Sequence, residues 1–126
     1  MTIDEIPFAR LLGIEADLVE PGHAVLSIKI RDDLKRNGGI AHGGVAAALI
    51  DSAMAFAIVP LLAENERTTT VDLTIHYMRP LTDGTARASA RVVRAGRRII
   101  TVSAELFDSQ EKLAATALST YLRLSE

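Results

Sequence analysis

The chain has 126 residues, a formal charge of −2 and an apolar share of 48%. That length suits one packed core without room for a second domain, and the charge lacks the basic excess of an electrostatic nucleic-acid binder. Cysteine is absent, which excludes disulfides, thiolate metal sites and thiol nucleophiles.

Residues 1–126 are read as a single domain. The opening Met-Thr-Ile-Asp-Glu-Ile-Pro is acidic and lacks the basic and apolar regions of a signal peptide, so a cytoplasmic protein is expected. Residues 6–13 read as a short helix, with Pro7 in its first turn and Gly13 as its stop. Strands are expected over 14–20 and 23–30, joined at Pro21-Gly22. A polar loop, Arg31 to Gly39, then leads into a nearly unbroken apolar run from Gly43 to Ala63. Four further strands follow at about 68–79, 85–94, 98–107 and 113–123, separated by turns at Asp83-Gly84, Ala95-Gly96 and Asp108–Glu111. In the first of these, strict alternation places Val71, Leu73, Ile75 and Tyr77 on one face and Thr70, Asp72, Thr74 and His76 on the other. Strands in series around one long helix imply an α+β architecture, an antiparallel sheet with the helix on one face.

The apolar run has the length of a membrane span. Asp51 near its centre costs about 2.5–3.5 kcal/mol on an insertion scale. Much of the run is Gly and Ala, and Pro60 interrupts it. A core helix is therefore expected, and no membrane. One small sheet cannot cover a helix that is apolar nearly all round, so a second copy of the chain is expected against it, as a symmetric homodimer at least.

Asp51 is the first candidate for function, because a charged carboxylate in such a helix loses several kcal/mol of solvation unless it is paired. The second candidate is His42-Gly43-Gly44 at the helix start. Free N–H groups in a first turn without side chains let a carbonyl oxygen approach and be polarised; tight packing of loop on helix explains the same glycines. Asp51 follows Gly43 by eight residues, about 12 Å along a helix axis. A carboxylate must come within about 3 Å of the group on which it acts. Antiparallel helices across a dimer axis remove that mismatch by setting Asp51 of one chain against Gly43 of the other. Around Asp51, Gly44, Ala47, Ala48, Ala55 and Ile58 lie one or two turns away and are mostly small. They leave space for a thin ligand, although close helix–sheet packing also favours small residues.

The segment Asn37-Gly-Gly-Ile-Ala-His42-Gly43-Gly44-Val-Ala-Ala-Ala-Leu-Ile-Asp51, followed by Thr70-Val-Asp-Leu-Thr-Ile-His-Tyr-Met-Arg-Pro80, resembles the hotdog-fold acyl-CoA thioesterases of the phenylacetate-pathway (PaaI-like) branch. The resemblance implies a six-stranded antiparallel sheet wrapped around one long central helix, assembled as a homodimer or a dimer of dimers. It implies hydrolysis of an acyl-CoA, with Asp51 as general base or nucleophile and the Gly43 N–H polarising the thioester carbonyl. By the same resemblance Asn37 helps to hold the carbonyl or water, His42 positions the loop or the departing sulfur, and Thr70 orients the attacking water. Neither a metal nor another cofactor is implied, coenzyme A entering only as part of the substrate. The loop between Asn37 and His42 is one residue shorter than in many relatives, which shifts Asn37. Gly44 and Ala48 are expected against the substrate. Arg94, Arg97 and Arg98, with Arg91 nearby, cluster around the Ala95-Gly96 turn and suit the phosphates of coenzyme A, or simply a solvated hairpin end. His23, Asp72 and His76 read as surface or interface residues. Two other functions use the same fold: a non-catalytic acyl-CoA-binding module, which would not need Asp51, and an acyl-chain hydratase or dehydratase, which would pair its acid with a histidine.

Overall fold

The computed structural model describes residues 1–125. After a 3-10 turn at Ile3–Glu5, its elements are α1 (Pro7–Leu12), β1 (Glu15–Glu20), β2 (His23–Lys29), α2 (Gly43–Ile58), β3 (Glu66–Tyr77), β4 (Thr85–Ala95), β5 (Ile99–Phe107) and β6 (Leu113–Ser125). Pro7 opens α1, where its missing N–H costs nothing, and Gly13 caps it by donating to the Ala9 carbonyl. The strands form one six-stranded sheet in the order β1-β2-β4-β5-β6-β3. Every neighbouring pair is antiparallel.

Helix α2 lies across one face of this sheet, packed chiefly on β2, β4 and β5. The inward positions of β4 are Ala86, Ala88 and Ala90, all buried, and their small side chains let the helix sit close. From the helix come Leu49, Ile50, Ala53, Met54 and Ala57, each wholly excluded from solvent. The apolar run with the length of a membrane span is thus the core helix of the sheet. Pro60 lies in the 3-10 turn Val59–Leu61 that ends it, since proline removes a helical N–H and crowds the preceding turn. The sheet covers one side of α2 and not the other. Ala47, Ala48, Asp51, Ser52 and Ala55 are only partly covered, and Gly44 is exposed. They recur at the three-to-four spacing of a single helical face.

Strand β3 departs from the alternation expected of it. Thr70 pairs with Tyr121 and Asp72 with Thr120, so Val71 is an extra residue in a β-bulge. Tyr121 is 2% exposed and faces the helix, which turns Thr70 inward. Beyond the bulge Leu73, Ile75 and Tyr77 point the same way, and Asp72, Thr74 and His76 point out. One inserted residue shifts the phase of the side chains by one, which is why Thr70 joins the helix-facing side rather than the face of Asp72.

The Asp83-Gly84 turn delivers the chain into β4 beside the end of β2, where the Gly84 carbonyl accepts from Ile30 N–H at 2.8 Å. Gly84 has φ +72° and a Cβ there would meet the Ser109 Cβ at 2.5 Å. We expect Gly84→Ala to lower unfolding free energy by more than about 1 kcal/mol, from the left-handed backbone and the clash together. Urea denaturation measures this; an unchanged midpoint would show that the turn is not so constrained.

Candidate active site

Asp51 stands at the middle of α2, on its incompletely covered face. Two hydroxyls reach one of its oxygens. Thr70 Oγ1 donates to Asp51 Oδ1 at 3.0 Å, and the Tyr121 hydroxyl makes a short hydrogen bond to the same Oδ1 while lying 3.0 Å from the Asp51 carbonyl oxygen. Among the described residues Oδ2 has no hydrogen-bond partner, and no buried side-chain oxygen or nitrogen is left unpaired. Oδ2 is therefore the oxygen open to whatever occupies the space beside the helix. Burial first, and then hydrogen bonding and charge from Asp51, push the ionisation of Tyr121 far above the usual phenol range, against smaller opposing contributions from Thr70 and Ser119. Losing its proton would place a second anion against the carboxylate. Burial and the neighbouring carboxylate thus favour Tyr121 as a hydrogen-bond donor.

Asp51 borders a cavity of about 590 Å³. Asp51, Thr70 and Tyr121 form one part of its wall, and Ile3, Ile6, Phe56, Val59 and Leu62 form an apolar part. Glu64, Glu66 and Arg67 border it as well. Glu66 also accepts from Arg123 at 3.0 Å, and Arg123 donates to the Gly96 carbonyl at 3.0 Å. These bonds tie the β4–β5 turn to the start of β3.

A second group of residues sits at the N-terminus of α2. His42 is the N-cap, and its Nδ1 accepts from Gly44 N–H at 2.8 Å. That contact holds the imidazole against the first turn. Val45 N–H goes to the His42 carbonyl, which leaves the Gly43 N–H as the first-turn donor with no acceptor among the described residues. The Tyr77 hydroxyl donates to the Gly43 carbonyl at 2.7 Å and anchors the turn to the end of β3. His42, Gly43 and Tyr77 border their own cavity of about 340 Å³, with Arg36, Met78 and Leu81 among its walls. Asn37 lies in the exposed loop leading into this turn.

Within one chain, then, the residues expected at the site fall into two groups. Asp51 and Thr70 share one cavity, while Gly43 and His42 share another. The stretch from Gly43 to Asp51 is helical throughout, so the separation of about 12 Å along the axis holds. Gly44 borders a surface groove with His42, Phe8 and Leu34, and neither it nor Ala48 reaches the cavity at Asp51. Ala55 does reach it, and Ile58 is fully buried instead. Arg91, Arg94, Arg97 and Arg98 are exposed, and none of them borders either cavity. Two residues of this geometry, Tyr121 and Tyr77, were not singled out from the sequence as site residues. The signal for Tyr121 was faint: a phenol must place its hydroxyl on a polar partner when buried.

The fold and the site can now be set beside known proteins. Residues 38–115 match the family model described as the thioesterase superfamily. The medium/long-chain acyl-CoA thioesterase YigI of Escherichia coli is 29% identical, over 97% of this chain and 88% of that one. The N33D mutant of the phenylacetic acid degradation protein PaaI from Thermus thermophilus superposes with a TM-score of 0.87 at 34% identity, covering 94% of this chain and 100% of the other. A thioesterase family protein of Silicibacter pomeroyi gives a TM-score of 0.94 at 24% identity over 98% of this chain and 93% of its own, a likeness of fold. The chain belongs to the thioesterase superfamily and has its hotdog fold. Within that superfamily it is an acyl-CoA thioesterase of the PaaI-like type, a thioester hydrolase.

The tyrosine beside Asp51 yields a spectroscopic expectation. The chain has two tyrosines, and Tyr121 should add no tyrosinate absorbance near pH 10, the ordinary phenol range, until the protein unfolds. Native wild-type and Tyr121→Phe titrations followed at 295 nm should coincide, then differ by one tyrosinate in denaturant. The sign of the linked stability follows. A group whose ionisation is raised by folding stabilises fully below its unfolded value, and that stability declines as pH rises above about 10. A wild-type native titration exceeding that of Tyr121→Phe by one tyrosinate would contradict the described environment.

Proposed function

We propose that this protein hydrolyses a small or medium acyl-CoA, aryl acyl groups included, to the free acid and coenzyme A, with Asp51 as the reacting carboxylate. The observation that carries this reading is the carboxylate itself: Oδ1 is held by two hydroxyls, and Oδ2 is open beside a partly apolar cavity. The cavity volume of about 590 Å³ falls within the ~300–1,000 Å³ usual for small-molecule sites. The names of YigI and PaaI support the two acyl classes, medium aliphatic and aryl respectively.

The carbonyl would be polarised by the Gly43 N–H of the partner subunit. The helix rise excludes the donor of the same chain, and the small-residue face of α2 that the sheet leaves open is where an antiparallel second helix fits. A homodimer, or a dimer of dimers, follows from this reading. As general base, Asp51 takes a proton from water as the water oxygen bonds to the thioester carbon. The carbonyl oxygen gains the negative charge and is met by the Gly43 N–H dipole at the helix end. Collapse re-forms the carbonyl and breaks the carbon–sulfur bond, and the proton on Asp51 passes to the departing thiolate. As nucleophile, Asp51 Oδ2 would instead bond to the carbon and expel coenzyme A as its thiolate; water would cleave the resulting anhydride to the free acid and protonated Asp51, whose proton passes to the thiolate. His42 and Asn37 shape the turn around the carbonyl, Thr70 steadies Asp51 or its water, and Gly44 and Ala48 line the seam between helices. Arg94, Arg97 and Arg98 are assigned to the coenzyme A phosphates. Both routes need only water and side chains of the chain, with no cofactor. The reaction takes place in the cytoplasm in this reading.

Asp51→Asn should lower kcat for acyl-CoA hydrolysis by at least about a thousandfold while the oligomer stays folded by circular dichroism and light scattering; near-normal turnover would remove Asp51 from the chemistry. Mixing inactive Asp51→Asn with inactive Gly43→Pro chains should restore part of the activity, because one hybrid site then carries both intact groups. Verified mixed dimers with no activity would contradict a site shared between subunits. Neutralising Arg94, Arg97 and Arg98 together should raise KM for acyl-CoA several-fold more than KM for a truncated thioester lacking the nucleotide; equal effects on both would remove the phosphate role.

A further inference from the structure

The bulge that turns Thr70 towards Asp51 is fastened from the opposite face of the sheet. Where Val71 is inserted, the regular ladder is interrupted, and groups of β6 need other acceptors. Asp72 supplies them twice. Its carboxylate Oδ1 accepts from the Thr120 N–H at 2.9 Å, and its backbone carbonyl accepts from the hydroxyl of Ser119. Ser119 is 1% exposed, so that hydroxyl has no water to fall back on. Asp72 is exposed and borders neither cavity.

We infer that Asp72 is a positioning residue for the active site, acting through the bulge and Thr70 on Asp51; this rests on the proposed role of Asp51. The competing arrangement is a one-residue slip of the first half of β3. Continuing the alternation of Leu73 backwards without a bulge would bring Val71 inward and swing Thr70 out. Asp51 would then have an apolar neighbour in place of a hydroxyl donor, and Tyr121 alone would hold Oδ1. In the bulged register Thr120 and Ser119 both bond to Asp72, and these bonds hold the strand where the inserted residue interrupts the ladder. An acidic side chain facing away from the substrate thereby decides which side chain stands next to the reacting carboxylate.

The test is a double-mutant cycle on kcat, with the latch monitored separately. Asp72→Ala should accelerate exchange of the Thr120 amide and lower kcat about tenfold, with KM within about twofold. In a Thr70→Val background the same substitution should change kcat less than about twofold, because its effect passes through Thr70. Asp72→Asn, which keeps an acceptor oxygen, should retain most of the wild-type kcat and the slow amide exchange. The inference is overturned if Asp72→Ala leaves kcat unchanged, if its full effect persists in Thr70→Val, or if Asp72→Asn is as impaired as Asp72→Ala. Asp51→Asn in the same assay separates the two levels. Retained activity there overturns the catalytic reading along with this inference. Loss of activity there, together with an inert Asp72→Ala, overturns the inference alone.

Discussion

A carboxylate inside an apolar helix loses most of the water that stabilises its charge, and the fold must replace that water with donors or expel the residue. In this protein the replacement comes from Tyr121 and Thr70, which both address Asp51 Oδ1. Much of the rest follows from that requirement. Tyr121 and Thr70 are cross-strand partners on β6 and β3, so the last strand of the chain and the edge strand must pair in one register. That register needs the bulge at Val71. Burial against the carboxylate favours the protonated, donating form of Tyr121.

The same arrangement leaves the other carboxylate oxygen and one side of the helix without cover. A single layer of sheet buries Leu49, Ile50 and Met54 completely but leaves Ala47, Ala48 and Ala55 partly open. At the helix start, the His42 side chain takes the Gly44 N–H, and the Gly43 N–H has no acceptor among the described residues. In the proposed reaction the Gly43 N–H and the Asp51 carboxylate serve one carbonyl, yet on one helix they stand too far apart to do so. The proposed homodimer answers this: a two-fold axis beside the open helix face would bring them together in pairs, along a face of small side chains.

Much of this was legible in the residues, for identifiable reasons. The element order came from turn chemistry that acts locally: Pro21-Gly22 and Asp83-Gly84 fall between observed strands, and Ala95-Gly96 marks the end of β4. Asp51 stood out because its cost depends only on its neighbours in one helix. The Gly43 donor was legible because helix geometry alone defines which N–H groups lack acceptors. The side of β3 on which Thr70 lies was not legible. A bulge is a property of two strands, and the alternation of one strand carries no trace of an inserted residue. Tyr121 was missed for a related reason, since its partner lies far away in sequence and its strand pattern alone reads as ordinary core. The hydrogen bonds of Asp72 were hidden in the same way, so an exposed acid facing outward read as a surface residue.

The central claim is that Asp51 Oδ2 addresses the thioester carbonyl while the Gly43 N–H of the partner subunit holds its oxygen. A crystal structure with a non-hydrolysable acyl-CoA analogue, its thioester sulfur replaced by methylene to leave a ketone, tests this directly. The account predicts the ketone carbon within reach of Oδ2 or of one water bound to it. It also predicts the ketone oxygen at hydrogen-bonding distance, about 2.7–3.2 Å, from a Gly43 N–H of the other chain. A ketone bound away from Asp51, or one held by Gly43 and Asp51 of the same chain, would contradict it.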